Sequence, residues 1–169
     1  MRFVLALTER NIREETGGPF GSAVFERDSG KLVSVGVNVV VRQNCSAAHA
    51  EMMALMLAQK ELEHFHLGVD GLHEDPPVTS EEMCSMRLGH VCWSGVSEVL
   101  SSAEPEDVEK ITGFDEGPTP LDYNAQLERR GIKIVPELLR SEGRAVLQLY
   151  VDLGGQVYNA RHSQESSLT

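Results

Sequence analysis

His49-Ala50-Glu51 stands at the head of a long apolar stretch that continues through Met52, Met53, Leu55, Met56 and Leu57. A histidine and a glutamate two positions apart at a helix start place an imidazole and a carboxylate where backbone N–H donors lack intrahelical partners. Further on, Cys84 opens a second helical segment, and Arg87, three residues later, lies on the same helix face. Helix N-termini favour anions, thiolates included, through the dipole. These two helix starts are the fixed points around which the rest of the chain has to be arranged.

The segments between them alternate. Met1 to about Glu15 reads as a helix with Phe3, Val4, Leu7 and Ile12 near one face, ended by Gly17-Gly18-Pro19. Ala23-Val24-Phe25 and the valine-rich run Lys31 to Val41 read as strands joined by the turn Asp28-Ser29-Gly30. Ser46 is the expected N-cap of a helix from about Ala47 to Glu63. A short strand at Val78-Thr79 precedes a helix from near Met83 to Gly95, and Val96 to Leu100 is the next strand. Glu104 to Ile111 and Leu121 to Arg130 read as helices, Ile132 to Val135 as a strand. Pro136 is expected at the first position of a last helix that stops at Gly154-Gly155. Strands alternating with helices in this order predict a three-layer α/β protein with a mixed central sheet. The expected domain spans 1–160, and the polar segment 161–169 is expected to be a disordered tail.

Composition narrows the partners. A chain of 169 residues is one domain. Its 26 acidic and 15 basic residues give a net charge of −11, a field that repels phosphate backbones. Nucleic acid is therefore not expected as a partner; a small molecule is. No segment approaches a membrane span, the N-terminal apolar run is too short for a signal peptide, and three cysteines, Cys45, Cys84 and Cys92, form no disulfide framework. A cytoplasmic protein is expected.

The motifs taken together carry a resemblance. Gly17-Gly18-Pro19-Phe20-Gly21, then Asn38, then Asn44-Cys45-Ser46 and His49-Ala50-Glu51-Met52 open it. Thr79-Ser80, Glu82, Cys84, Met86, Leu88-Gly89 and Trp93-Ser94-Gly95-Val96 continue it, followed by Gly113-Phe114-Asp115-Glu116-Gly117 and Gly154-Gly155, Val157-Tyr158-Asn159. This series resembles bacterial guanine deaminases and related nucleoside deaminases of the cytidine deaminase superfamily, over nearly the whole chain. The superfamily signature is H-x-E followed by P-C-x-x-C. The resemblance implies a cytidine-deaminase-like three-layer α/β/α sandwich and a homodimer whose C-terminal tails exchange. It implies Glu51 as general acid/base, His49 and Cys84 as zinc ligands, Asn38 as a contact to the base, and Phe20 as pocket wall. It extends to Asp115 and Tyr158 as further holders of a purine.

One ligand position departs from the pattern. Arg87 stands where the second cysteine belongs, with Met83, Ser85 and His90 also altered around it. A guanidinium has five N–H donors and no lone pair to give a metal. Two like unit charges about 4 Å apart repel by about 4 kcal/mol at an effective dielectric near 20, and a dication doubles that. Neither neighbour replaces the lost ligand: His90 is turned about 240° around the helix from Cys84, and Cys92 lies about 12 Å along it. Zinc is therefore expected to be absent, with binding through His49 and Cys84 as the alternative.

Three readings follow. The first is a diverged deaminase-like enzyme acting on a small nitrogenous, base-like substrate, with Glu51 as proton shuttle. The second is a metal-free enzyme of acyl- or amidine-transfer type. There Cys84 is the nucleophile, its thiolate favoured by the helix start, Arg87 and His49; His49 or Glu51 handles the proton, and Arg87 holds an anionic group. The third is an inactive ligand-binding relic, in which Arg87 pairs with Glu51 and plugs the metal hole. Elsewhere the expectations are plainer. His64, His66 and His73 are expected to be solvated. Trp93, Met52, Met53 and Met56 are expected in the core, and Cys45 beneath the first ligand loop. Asp115 and Glu116 are base readers or solvated loop carboxylates, and Tyr158 has packing as its alternative role.

Overall fold

The computed structural model describes residues 1–68, 77–79, 84–118 and 120–159. His73, Ser80, Glu82, Met83 and the tail 161–169 lie outside the described residues.

Five strands form one sheet in the order β2-β1-β3-β4-β5. Strands β1 (Gly21–Phe25) and β2 (Leu32–Val37) make an antiparallel hairpin. Strand β3 (Pro77–Thr79) runs antiparallel to β1 and parallel to β4 (Glu98–Leu100), which is parallel to β5 (Lys133–Val135). The sheet is mixed, as expected. Side chains alternate across it. Val24 and Val99 pack on one face with Ala54, Leu55 and Ala58 of α3 (Ala50–Glu61) and Val91 of α4 (Ser85–Ser94). Ala23 and Leu100 pack on the other with Val4 of α1 (Arg2–Arg13). Helices α5 (Pro105–Thr112) and α7 (Arg140–Asp152) join α1 in a second core around Ile12, Phe20, Val108, Phe114 and Leu147. The result is the expected α/β/α layering.

Gly36 fixes how close α3 comes to the sheet. A Cβ there would overlap the Ala50 carbonyl and crowd the Ala54 amide. The missing side chain lets the first turn of α3 lie directly on β2, which anchors His49 and Glu51.

Several boundaries differ from expectation. The second strand ends at Val37, and Val40–Gln43 form a short helix, α2. Asn38 causes the break: its side-chain Oδ1 accepts the Val40 N–H at 3.3 Å, a local bond that competes with the ladder. Helix α3 begins at Ala50, with His49 rather than Ser46 as its N-cap. Helix α7 begins at Arg140, four residues past Pro136, because Glu137 and Leu139 both take positive φ (61° and 57°). Helix α6 (Tyr123–Glu128) is shorter than expected. Small residues rather than methionines fill the inner face of α3. Ala50, Ala54, Leu55 and Ala58 are buried, while Met56 and Leu57 are exposed, as are Phe3, Trp93 and Cys45. His64 and His66 are half-buried rather than solvated: His64 Nδ1 lies 2.8 Å from the His66 carbonyl and accepts the His66 N–H. Among the described residues no helix is long and apolar enough to cross a membrane.

Candidate active site

His49 and Cys84 are both N-cap residues, of α3 and α4, and both have extended backbone there. Neither uses its side chain to cap its own helix. Each is turned toward the other instead, and Cys84 Sγ lies 3.8 Å from His49 Nδ1. The helix starts named in the sequence therefore do converge.

Arg87 sits against the sulfur beside them. It is 1% exposed, the largest side chain among the fully buried ones described. Its Nε donates to Cys84 Sγ at 3.0 Å, Nη1 donates to Glu51 Oε1 at 3.2 Å, and Nη2 donates to Glu116 Oε2. Three separate N–H directions of the planar fork are thus used on three different side chains. A cation in the first turn of a helix opposes the helix dipole. Here two buried carboxylates hold it in place. His49 is kept below its ordinary value, first by burial and then by the Arg87 charge, against the pull of Glu51 and Glu116. Its imidazole is neutral at neutral pH. Burial pushes the Glu116 carboxyl above the ordinary glutamate range, with Arg87 opposing.

The donor set at this centre does not fit a three-ligand zinc ion. His49 Nδ1 and Cys84 Sγ could both serve, but a guanidinium fills the third place, and its N–H points at the sulfur a metal would need. Among the described residues no cluster of three His, Cys, Asp or Glu side chains is arranged to hold a metal. His90 lies 3.1 Å from the Met52 sulfur, away from the cluster, and Cys92 packs against the core beneath α3.

The wall of the site is aromatic. Arg87 Cζ lies 5.9 Å from the centre of the Phe20 ring. Phe20 packs on Phe114 at 5.2 Å, and Phe114 meets Tyr158 edge-on at 4.8 Å. The Tyr158 hydroxyl donates to Asn38 Oδ1 at 2.7 Å. Asn38 is held by its backbone as well: its N–H donates to the Phe20 carbonyl at 3.0 Å, and Asn11 Nδ2 reaches both the Gly18 and Asn38 carbonyls. Gly18 leaves room for this, since a Cβ there would sit 2.9 Å from the Tyr158 oxygen. With Oδ1 committed, Asn38 Nδ2 is left buried and without a hydrogen-bond partner among the described residues. A buried donor in that condition costs about 1–3 kcal/mol unless something accepts from it.

A cavity of about 530 Å³ opens beside this wall, bordered by Asn44, Cys45, His49, Tyr158 and Asn159. That volume is within the usual range for small-molecule sites, about 300–1,000 Å³. A larger cavity of about 700 Å³ lies near Tyr158, bordered by Arg13, Gly17, Gly18, Arg42 and Tyr150. It does not include His49, the one member of the cluster that borders the smaller cavity; Cys84, buried at 6% exposure, lines neither.

The structure thus brings together His49, Glu51, Cys84 and Arg87, and joins them through Phe20 to Phe114, Tyr158 and Asn38. Asp115 lies apart. It is exposed, its carboxylate accepts the Gly117 N–H at 2.8 Å, and its own N–H donates to Asn159 Oδ1. Glu116, the next residue, is the one that turns inward. The sequence showed only two adjacent acids on a glycine-bounded loop, and Arg87 was expected to pair with Glu51 alone; that a second carboxylate, Glu116, joins it was not foreseen.

Comparison with known proteins fits this architecture. The chain is 30% identical to guanine deaminase of Bacillus subtilis over 132 residues, 78% of this chain and 80% of that protein. The solved guanine deaminase from Nitrosomonas europaea is 49% identical, with a TM-score of 0.84 over 88% of this chain and 80% of that one. A structure of the protein NE0047 in complex with 2,6-diaminopurine is 50% identical, with a TM-score of 0.87 over 94% of this chain and 83% of that one. No family model matches the chain.

Proposed function

Because the chain belongs to the guanine deaminase family, we propose that it acts on a small, base-like nitrogen heterocycle and does so without zinc-activated water. The observation that carries the reading is Asn38 Nδ2. This buried amide donor has no partner among the described residues and is locked in orientation by Tyr158, beside an aromatic wall. A ring nitrogen or carbonyl of a purine-like base supplies the acceptor it lacks. The planar faces of such a base suit Phe20, Phe114 and Tyr158. The related protein NE0047 has been crystallised with 2,6-diaminopurine, and a mutant of it with 8-azaguanine, which supports the same ligand class here.

The metal-free part of the proposal rests on Arg87. In this reading it replaces a ligand and engages Glu51, the expected proton shuttle, so the family's hydroxide-generating step has neither its metal nor a free carboxylate. Proton handling falls to the neutral, cavity-lining His49. The homodimer and the cytoplasmic setting belong to the same proposal. Exchange of tails is not required by it, since Tyr158 and Asn159 reach the site of their own chain.

The test is calorimetric titration of chelator-dialysed protein with 8-azaguanine. Binding is expected to survive removal of metal and to weaken about tenfold in Asn38→Ala, the worth of roughly one hydrogen bond. Undiminished affinity in Asn38→Ala, or binding that returns only with added zinc, would contradict it.

A further inference from the structure

We infer that Cys84 is a covalent nucleophile toward the amine-bearing carbon of an amidine-type ring, so that the site releases ammonia through a thioether-linked intermediate instead of through a metal hydroxide. The inference rests on the base-binding reading above and adds the atom that attacks.

An inert buried cysteine sits among hydrocarbon. Cys84 is 6% exposed, yet its sulfur faces an imidazole at 3.8 Å and a guanidinium N–H at 3.0 Å, at the start of a ten-residue helix. Besides its bonds to Glu51 and Glu116, Arg87 directs its Nε–H at the sulfur, which is the arrangement that stabilises negative charge developing there. His49 completes a nucleophile–base pair and borders the 530 Å³ cavity; the sulfur, which does not itself line that cavity, lies 3.8 Å from this bordering imidazole. Behind Tyr158, which borders the same cavity, Asn38 Nδ2 has no partner among the described residues and is the donor this inference gives the ring.

The steps balance with water as the only co-reactant. As Sγ bonds to the carbon, the thiol proton passes to His49 Nδ1 and the C=N electron pair moves onto the ring nitrogen. That pair then returns, the carbon–amine bond breaks, and His49 delivers its proton so that ammonia leaves. Water next adds to the same carbon, giving a proton to His49. The C–S bond breaks, His49 returns the proton to sulfur, and the ring leaves as the lactam. Nothing is oxidised or reduced.

The probe is 2-amino-6-chloropurine, whose carbon–chlorine bond breaks as the C–S bond forms to give the thioether-linked species of the second step, captured by acid quench before water releases the ring. Chelator-dialysed protein is incubated with it, and the intact mass and tryptic peptides are read by mass spectrometry. One aminopurinyl group on Cys84 is expected, at least a hundredfold faster than on the exposed Cys45, and blocked by excess 8-azaguanine. His49→Gln should slow the labelling by about a hundredfold, the low end of what a positioned base supplies. Cys84→Ser should still bind 8-azaguanine but take no label, which separates lost chemistry from lost folding. Labelling of Cys45 alone, or none, in protein that does bind 8-azaguanine overturns the nucleophile and leaves the base-binding reading standing. Failure of the wild-type chain to bind 8-azaguanine overturns both.

Discussion

Among the described residues two charge clusters have buried centres, and the centres are of opposite sign. Around Asp107, a buried carboxylate meets two cations, and Arg140 also pairs with the less buried Glu104 at 2.6 Å and Glu137 at 3.2 Å. Arg140 Nε donates at 2.7 Å, Arg144 adds a second ion pair, and Asp107 Oδ2 accepts the Glu104 N–H to complete the capping box of α5. The carboxylate is 3% exposed, but Arg140 and Arg144 are 29% and 51% exposed and keep contact with water. Around Arg87 a buried cation meets the carboxylates of Glu51 and Glu116, and all three are dry, at 1%, 2% and 7% exposure. The first cluster ties α5 to α7 with little desolvation. The second is costly to bury and touches a thiol, with an imidazole beyond it. Burying ions is weak evidence for stability; a dry cluster against a thiol is better explained by what it does to the groups around it.

The largest way to separate the two is to remove their centres. Arg87→Met leaves two carboxylates buried without a cation, and unfolding free energy in urea should fall by about 3–5 kcal/mol. Asp107→Ala exposes its former partners to solvent and should cost less, about 1–2 kcal/mol, mostly the lost cap. Equal losses would mean the Arg87 cluster is as well hydrated as the other.

The clusters should also respond to pH with opposite signs. Burial works to raise the Asp107 carboxyl, but hydrogen bonds from Arg140 and the Glu104 backbone, with the charges of Arg140 and Arg144, outweigh it and hold it low. The unfolded chain therefore binds more protons there. Its stabilisation is complete above the unfolded value of about 3.9 and disappears as pH falls through the lower folded value. Glu116 is raised, so the folded chain binds more protons, and its contribution weakens as pH climbs from about 4.3 through the higher folded value. Stability against pH, measured for wild type, Asp107→Asn and Glu116→Gln, should lose an acid-side slope in the first variant and a neutral-side decline in the second. Matching profiles for the two variants would erase the distinction.

The smallest expected effect is at the rim. Tyr158→Phe removes the hydroxyl that fixes Asn38 and should cost about 1 kcal/mol, seen as a fivefold to tenfold loss of 8-azaguanine affinity with unfolding almost unchanged. A large fall in stability would make Tyr158 a packing residue.

The two clusters also differ in how far the sequence announces them. His49, Glu51, Cys84 and Arg87 were legible because their spacing sets helix starts and faces, and so was Asn38 through its motif. The inward turn of Glu116 was not, since adjacent loop residues Asp115 and Glu116 carry no periodicity to say which points inside. Nor was the Asp107 clamp, whose partners Arg140 and Arg144 come from a distant helix. The layered fold followed from strand–helix alternation. The start of α7 did not, because positive φ at Glu137 and Leu139 is a tertiary outcome that propensity does not encode. Trp93 and Met56 read as core by hydrophobicity, yet both are exposed in the single chain; apolar character alone does not say which side of a helix faces inward.

The most direct measurement is zinc per chain by plasma mass spectrometry, on protein purified with zinc in the medium, for wild type beside Arg87→Cys. A guanidinium seated against the thiol in the third ligand's place predicts almost none in the wild type and about one ion once a second sulfur replaces it. One tightly held zinc in the unaltered chain would contradict the account at its centre.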